Sequence, residues 1–316
     1  VMAMEHDAIG FAASMHMVTV ALAYALRSNR TLVTRSHDVW WLVDAERCAP
    51  RSFECYLHPL SPCQEPQEGE GTWERAPRLD TRIARLDALV AQGHQAVAGA
   101  SPRVVALDWG AQSTALLHPS IRKFVPARFR HRGLLWFRSH LAAYIFRPNA
   151  QVTAALQVRL GGVREGLARH ERVVAVHVRR GDKYVESPTI PLDAFEEALL
   201  AAAPPGSGVI IASDDAAAAH NLSITASAAG LQVLNLVGDE ARHEGSNSKA
   251  GARTHDVDLT TYALQAILTV AMLSLGNVFV CTFSSNVSRL AFELAFASNR
   301  IAAPPCSLDI LWVASP

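Results

Sequence analysis

No apolar run in this chain reaches the roughly 20 residues that a membrane-spanning helix needs. Residues 15–26 are apolar for about a dozen positions, and the longer run 262–283 is interrupted by Gln265, Gly276 and Asn277. The first reads as a core helix and the second as helix, turn and strand. An excess of either charge is also missing: 29 Lys and Arg balance 29 Asp and Glu, so no broad polyanion-binding field is expected. Nucleic acid and anionic membranes are therefore not expected partners. Cysteine is scarce, at five residues. Cys48, Cys55 and Cys63 lie too far apart for a zinc knuckle and suit loop disulfides, which favours an oxidising compartment. No Walker-type glycine–lysine loop and no internal repeat occur, so a phosphate-hydrolysing loop is not expected. The residues after Val1 lack the charged and apolar regions of a signal peptide.

What is present is length and a regular rhythm. The chain has 316 residues, half of them apolar, enough for two domains sharing a cleft. The N-terminal half opens as loop, helix (15–27) and strand (30–34). An irregular segment over 47–75 follows, rich in proline and carrying the three clustered cysteines. A helix at 82–97, a strand at 103–107 and helices at 133–146 and 151–167 complete this half. From Val173 onward, strands (173–178, 208–212, 231–236, 278–283) alternate with helices (192–203, 259–275, 287–297, and one after Asp215). That alternation predicts a parallel sheet in an α/β fold. The domain boundary is expected between 161 and 172.

The central stretch is VVAVHVRRGDK at 173–183: a buried strand that runs straight into charge. In open α/β sheets, ligands sit beyond the carboxyl ends of the strands. Two arginines there, beside a glycine, suit a phosphate ester, although a strand end carrying solvated charges has the same residues. A second stretch, VFVCTFSSNVSRLAFELA at 278–295, places Ser284 and Ser285 between a strand and a helix N-terminus. Either serine alone would be an ordinary N-cap. Together with the arginines of the same sheet, the pair forms a cradle for a diphosphate.

HVRRGDK (177–183), ASDD (212–215) and FVCTFSS (279–285), in this order and spacing, resemble the α1,6-fucosyltransferases that modify the core of N-linked glycans. They also resemble, more loosely, the bacterial enzymes that fucosylate chitin oligosaccharides. The segments 10–33, 136–149 (WFRSHLAAYIFRPN) and 306–312 (CSLDILW) extend the likeness from about Ile9 to Trp312. The resemblance implies a GT-B-like α/β fold of two lobes, residues 1–165 and 166–316, with a Rossmann-type parallel sheet in the C-terminal lobe. It implies GDP-fucose as donor substrate, inversion at the anomeric carbon, and neither cofactor nor metal. The acceptor would be a glycan containing GlcNAc, attacked through O6 in an N-glycan core. The location would be the Golgi lumen or membrane, with the anchor outside this chain.

Carried over by position, His177 would face the nucleotide, and Arg179 and Arg180 the phosphates. Ser284 and Ser285 would hold diphosphate oxygens, Asp214 or Asp215 would orient donor or loop, and Gly10 would let the N-terminal loop approach the donor. Inverting transfer needs a base for the acceptor hydroxyl. Glu186 fills that role, with Lys183 beside it and Arg180 at the leaving group. Three departures stand out. Glu186 follows Lys183 by three residues where the family pattern has four. The helix from Tyr262 carries no acid for reading guanine, Thr269 and Gln265 being the nearest polar groups. Ser288 replaces the cysteine partner of Cys281. Alternatives are a different acceptor, a non-catalytic glycan- or nucleotide-binding homologue, and a nucleotide-sugar hydrolase. Trp40, Trp41, Trp136 and Phe137 are candidates for stacking on sugars or for the core.

Overall fold

A computed structural model describes residues 2–4, 9–27, 29–34, 39–44, 46–63, 73–75, 104–107, 125–180, 188–234 and 258–309. Glu186, Lys183, the helix expected at 82–97 and the basic loop before Asp258 lie outside the described residues. The chain divides into two compact units, 1–149 and 150–313.

The first unit holds a parallel sheet ordered β2-β1-β4-β3, from β1 (Met2–Met4), β2 (Leu32–Thr34), β3 (Trp73–Arg75) and β4 (Val104–Leu107). Helix α1 (Phe11–Arg27) packs on α2 (Gly133–Ile145). α1 begins four residues before the expected start, because the Ser14 N–H donates to the Gly10 carbonyl and Phe11 is already buried. The irregular segment carries its own short helical turn at Phe53–Cys55 and a disulfide, Cys48–Cys55; Cys63 is free and exposed. Its aromatic residues are core. Trp40 lies 6.0 Å from Phe11 and 6.3 Å from Tyr56, ring centre to ring centre. The Tyr56 hydroxyl donates to the Leu42 carbonyl (2.8 Å), and Trp41 Nε1 to that of Ile9 (2.8 Å). Trp40, Trp41 and Phe137 are buried, whereas Trp136 is half-buried and stacks on His140 at 4.0 Å.

The second unit is built on a five-stranded parallel sheet ordered β7-β6-β5-β8-β9. Its strands are β5 (Val173–Val178), β6 (Gly208–Ser213), β7 (Gln232–Val233), β8 (Val278–Cys281) and β9 (Cys306–Ser307). Helices α3 (Ala150–Leu167), α4 (Leu192–Ala202), α5 (Ala216–Ala228), α6 (Leu259–Leu273) and α7 (Asn286–Ala297) accompany it. α3, expected in the first lobe, packs on α6 in this unit. All six residues of β5, five of them apolar and the other His177, are buried, as a strand in the middle of a parallel sheet should be. Phe195, Leu199, Leu222, Ile211 and Val280 close the core on one side.

Asn277 sets the β5–β8 pairing. Its Oδ1 accepts from the Val173 N–H (2.9 Å) and its Nδ2 donates to the Glu171 carbonyl (2.7 Å). Gly276 is required just before it: a Cβ there would stand 2.6 Å from the Cβ of Ala175. The chain thus turns from α6 onto the central strand with no room for a side chain. The strand order places β6 and β7 on one side of β5 and the later β8 and β9 on the other. The crevice between β5 and β8, beyond their carboxyl ends, is therefore a topological switch point, where such sheets bind ligands.

Candidate active site

Strand register brings the three motifs together. His177 pairs with Ala212 of β6 and with Cys281 of β8, and Val178 pairs with Ser213. The residues that follow, Arg179 and Arg180, Asp214 and Asp215, and Thr282 to Ser285, therefore leave the sheet side by side.

Asp214 organises the β5 end. One carboxylate oxygen accepts the Arg180 backbone N–H at 2.7 Å, and the other pairs with the Arg179 guanidinium. Both side chains of that pair are nearly buried, Arg179 at 6% and Asp214 at 10% exposure. Arg179 is thus tied into the wall of the site. Arg180 is more open: Nη1 lies 3.6 Å from Asp215, and Nη2 donates to the Ile190 carbonyl at 3.3 Å. Asp215 caps α5, accepting from the N–H groups of Ala217 (3.0 Å) and Ala218 (3.1 Å). The two aspartates therefore divide their work, Asp214 holding the arginine loop and Asp215 the helix.

On the β8 side, the turn before α7 is held from within. Arg289 donates from Nη1 to the Phe283 carbonyl and from Nη2 to Asn286 Oδ1. The Ser284 N–H donates to Asp309 Oδ2 (3.0 Å), which also takes the Ser307 hydroxyl (2.8 Å). Ser284 and Ser285 are both buried. Ser285 stands at the N-cap in extended backbone, and its side chain makes no capping bond among the described residues. The amide dipoles of α7 therefore point out uncapped by that hydroxyl, a partial positive charge at the helix start.

His177 is buried between the two sides. Its Nδ1 lies 2.7 Å from the Ser288 hydroxyl on α7. Burial first, and the Arg179 charge second, push its pKa down to about 3, so the ring is neutral at physiological pH. Cys281, fully buried, is pushed up to about 12 by the same loss of solvent, against a hydrogen bond from Ser288 that pulls the other way. It is a thiol, free of any disulfide.

The expected residues His177, Arg179, Arg180, Asp214, Asp215, Ser284 and Ser285 thus gather at one end of one sheet. Gly10 lies in the first unit, at the start of α1. Sequence reasoning missed the supporting roles of Ser288, Arg289 and Asp309. The one available signal was a polar spacing on α7, where Asn286 and Arg289 are three apart and share a face. Gln265 and Thr269 are half-buried on α6. Among the described residues, no three His, Cys, Asp or Glu side chains gather where they could hold a metal ion.

Two α/β units, the second built on a five-stranded parallel sheet, have the GT-B fold of the solved structures that they resemble. NodZ alpha-1,6-fucosyltransferase, in a crystal soaked with GDP-fucose, has a TM-score of 0.53 at 14% identity, over 93% of this chain and 92% of that one. NodZ from Bradyrhizobium gives 0.53 at 14% identity over 92% of each chain. A mutant of Arabidopsis thaliana FUT1 in complex with GDP gives 0.56 at 15% identity, over 93% of this chain and 68% of that one. No curated protein sequence matches the chain. The family described as "Alpha-(1,6)-fucosyltransferase N- and catalytic domains" matches residues 126–303, more than half of the chain. The chain belongs to the alpha-(1,6)-fucosyltransferase family.

Proposed function

We propose that this enzyme transfers fucose from GDP-fucose to a hydroxyl of a GlcNAc-containing glycan, O6 of GlcNAc in an N-glycan core being the simplest acceptor. The reaction inverts the anomeric carbon and needs no metal. One observation carries the reading: Arg180 at the end of β5 and the start of α7 at the end of β8 flank the same switch point. The GDP-fucose soaked into NodZ and the GDP held by FUT1 support a guanosine diphosphate donor.

The chemistry follows from charge. Breaking the bond between fucose and the β-phosphate leaves negative charge on GDP. A guanidinium supplies two parallel donors and a full positive charge, and the helix start adds oriented N–H groups. Arg179 acts indirectly. Pinned by Asp214, it fixes the strand end from which Arg180 projects, and its charge adds to the burial that keeps His177 neutral. Glu186 receives the acceptor proton as the new glycosidic bond forms, with Lys183 beside it to hold the carboxylate ionised. His177 meets the nucleotide, and Ser284 and Ser285 line its diphosphate. The Cys48–Cys55 disulfide supports an oxidising compartment, as a Golgi location requires.

A second reading, a nucleotide-binding homologue without turnover, draws on the short Lys183–Glu186 spacing and the absence of acid from α6. Calorimetric titration with GDP, with ADP and UDP as controls and EDTA present, tests the donor site. Binding selective for GDP supports it. Equal affinity for all three, or none, removes it.

A further inference from the structure

We infer that the short helical turn Ala127–Arg132 and the first half of α2 form a docking surface for the carboxylate-bearing arms of a glycan. The surface belongs to the first unit and uses none of the donor-site residues of the second. Taking the docked glycan as the acceptor rests on the fucose-transfer reading above; the binding itself does not.

Charge is balanced over the whole chain but not along it. Residues 109–164 contain no Asp or Glu and nine Lys and Arg. The described part of that run, 125–164, holds seven arginines and no lysine. Arg147 shows what an arginine committed to the fold looks like. Its guanidinium lies 4.1 Å from the centre of the Tyr144 ring, Nη2 donates to the Pro59 carbonyl (2.8 Å) and Nε to that of Tyr144 (2.6 Å). Arg128 and Arg132 have the same seat and keep their donors. Arg128 lies 4.8 Å from the centre of the Phe129 ring, and Arg132 lies 5.7 Å from that of Trp136. Both are exposed, as is Arg130 between them, and none of the three has an acceptor partner among the described residues. A ring beneath a guanidinium fixes the cation without using any of its N–H groups.

The rings are themselves connected. Phe129 lies 5.5 Å from Trp136, and Trp136 stacks on His140 at 4.0 Å, all three half-buried. The result is a row of partly open aromatic surface that carries pre-placed guanidinium forks. Each fork matches the two oxygens of a carboxylate, and the open ring surface beside it takes apolar contact. A carboxylated sugar offers both in one rigid unit, a face of C–H groups with the carboxylate next to it. An acidic peptide supplies the carboxylates alone and leaves the rings uncovered. Nucleic acid supplies rings and anions, but it draws its affinity from a broad positive field, and this chain sets 29 acidic residues against 29 basic ones.

The test is calorimetry of the full chain in low-salt buffer with four probes: a disialylated biantennary N-glycan, the same glycan without its sialic acids, hexaglutamate and a single-stranded oligonucleotide. The acidic glycan should bind at least about tenfold more tightly than each of the other three, the worth of one charge-assisted bidentate pair. The double variant Arg128→Gln/Arg132→Gln, whose sites are exposed, should lose that preference with an unchanged circular dichroism melt. Arg164→Gln, at an exposed arginine of α3, should keep it. Equal affinity for the two glycans, or an undiminished preference in the double variant, overturns the inference. Hexaglutamate or the oligonucleotide bound as tightly as the acidic glycan overturns the sugar as occupant. Binding of the acidic glycan without fucose transfer to it keeps the docking surface and removes the reading of that glycan as acceptor instead.

Discussion

Replacing Asp214 by alanine removes one carboxylate that holds two neighbours, and the structure sets the size of the effect. The Arg179–Asp214 pair is nearly buried, at 6% and 10% exposure. Removing one partner of a buried pair costs about 3–5 kcal/mol, because a charge stays behind in a poor solvent. The Arg180 N–H loses its 2.7 Å acceptor as well, worth about 1 kcal/mol. Asp215 offers the internal control, one residue away. Its alanine variant loses a helix cap, about 1 kcal/mol, and its pair with Arg180, at 3.6 Å and roughly 30% exposure, adds little. Urea unfolding, followed by tryptophan fluorescence and by circular dichroism, should therefore rank Asp214→Ala at least about 2 kcal/mol below Asp215→Ala. In calorimetry the first should also lose GDP affinity by tenfold or more, since the loop carrying Arg180 loses its anchor. Equal stability of the two variants would refute the assignment of Asp214 as the organiser of the site.

Four further outcomes are expected. Arg180→Ala should weaken GDP binding about 10- to 100-fold in calorimetry, the worth of charge-assisted hydrogen bonds, with Arg180→Lys in between. Glu186→Gln should lower kcat about 100- to 10,000-fold in a fucose-transfer assay while leaving the Kd for GDP unchanged. His177 should make the fold acid-sensitive. The unfolded ring takes up its proton near pH 6.5 and the folded ring only near 3. Between these values the unfolded state binds more protons, so stability falls with falling pH, by about 1 kcal/mol per unit, and His177→Gln should flatten that slope in acid titrations of urea unfolding. Reduction of Cys48–Cys55, which closes a loop of seven-residue separation, should lower the stability of the first unit by about 2 kcal/mol, seen as an earlier unfolding midpoint with dithiothreitol.

The central strand was legible because its chemistry is local. Five small or β-branched apolar residues and one histidine, running into charge, can hardly be anything but a buried parallel strand, and Val173–Val178 is one. Periodicity likewise marked the helices that follow. The two-residue β9 and three-residue β1 are too short to show an alternation, and only their pairing with neighbours defines them. The start of α1 hid behind Gly10, where small residues read as loop until the burial of Phe11 is seen. In the site, residues that announce a ligand by type, the arginines, aspartates and serines, were visible. Those that hold them were not. Ser288 acts on His177 across 111 residues of chain, and Asp309 on Ser284 across 25, so no local pattern reveals either bond. Arg179 looks like a phosphate ligand in sequence, and its pairing with Asp214 across 35 residues is the part that sequence does not show.

The most direct test of the central claim is fucose transfer from labelled GDP-fucose to a GlcNAc-terminated N-glycan in the presence of EDTA, comparing wild type, Arg180→Ala and Glu186→Gln. A fucosylated product is expected without added metal, with turnover lost in both variants and GDP affinity unchanged in Glu186→Gln but weakened in Arg180→Ala. Turnover that requires a divalent cation, or wild-type turnover in Arg180→Ala, would contradict it.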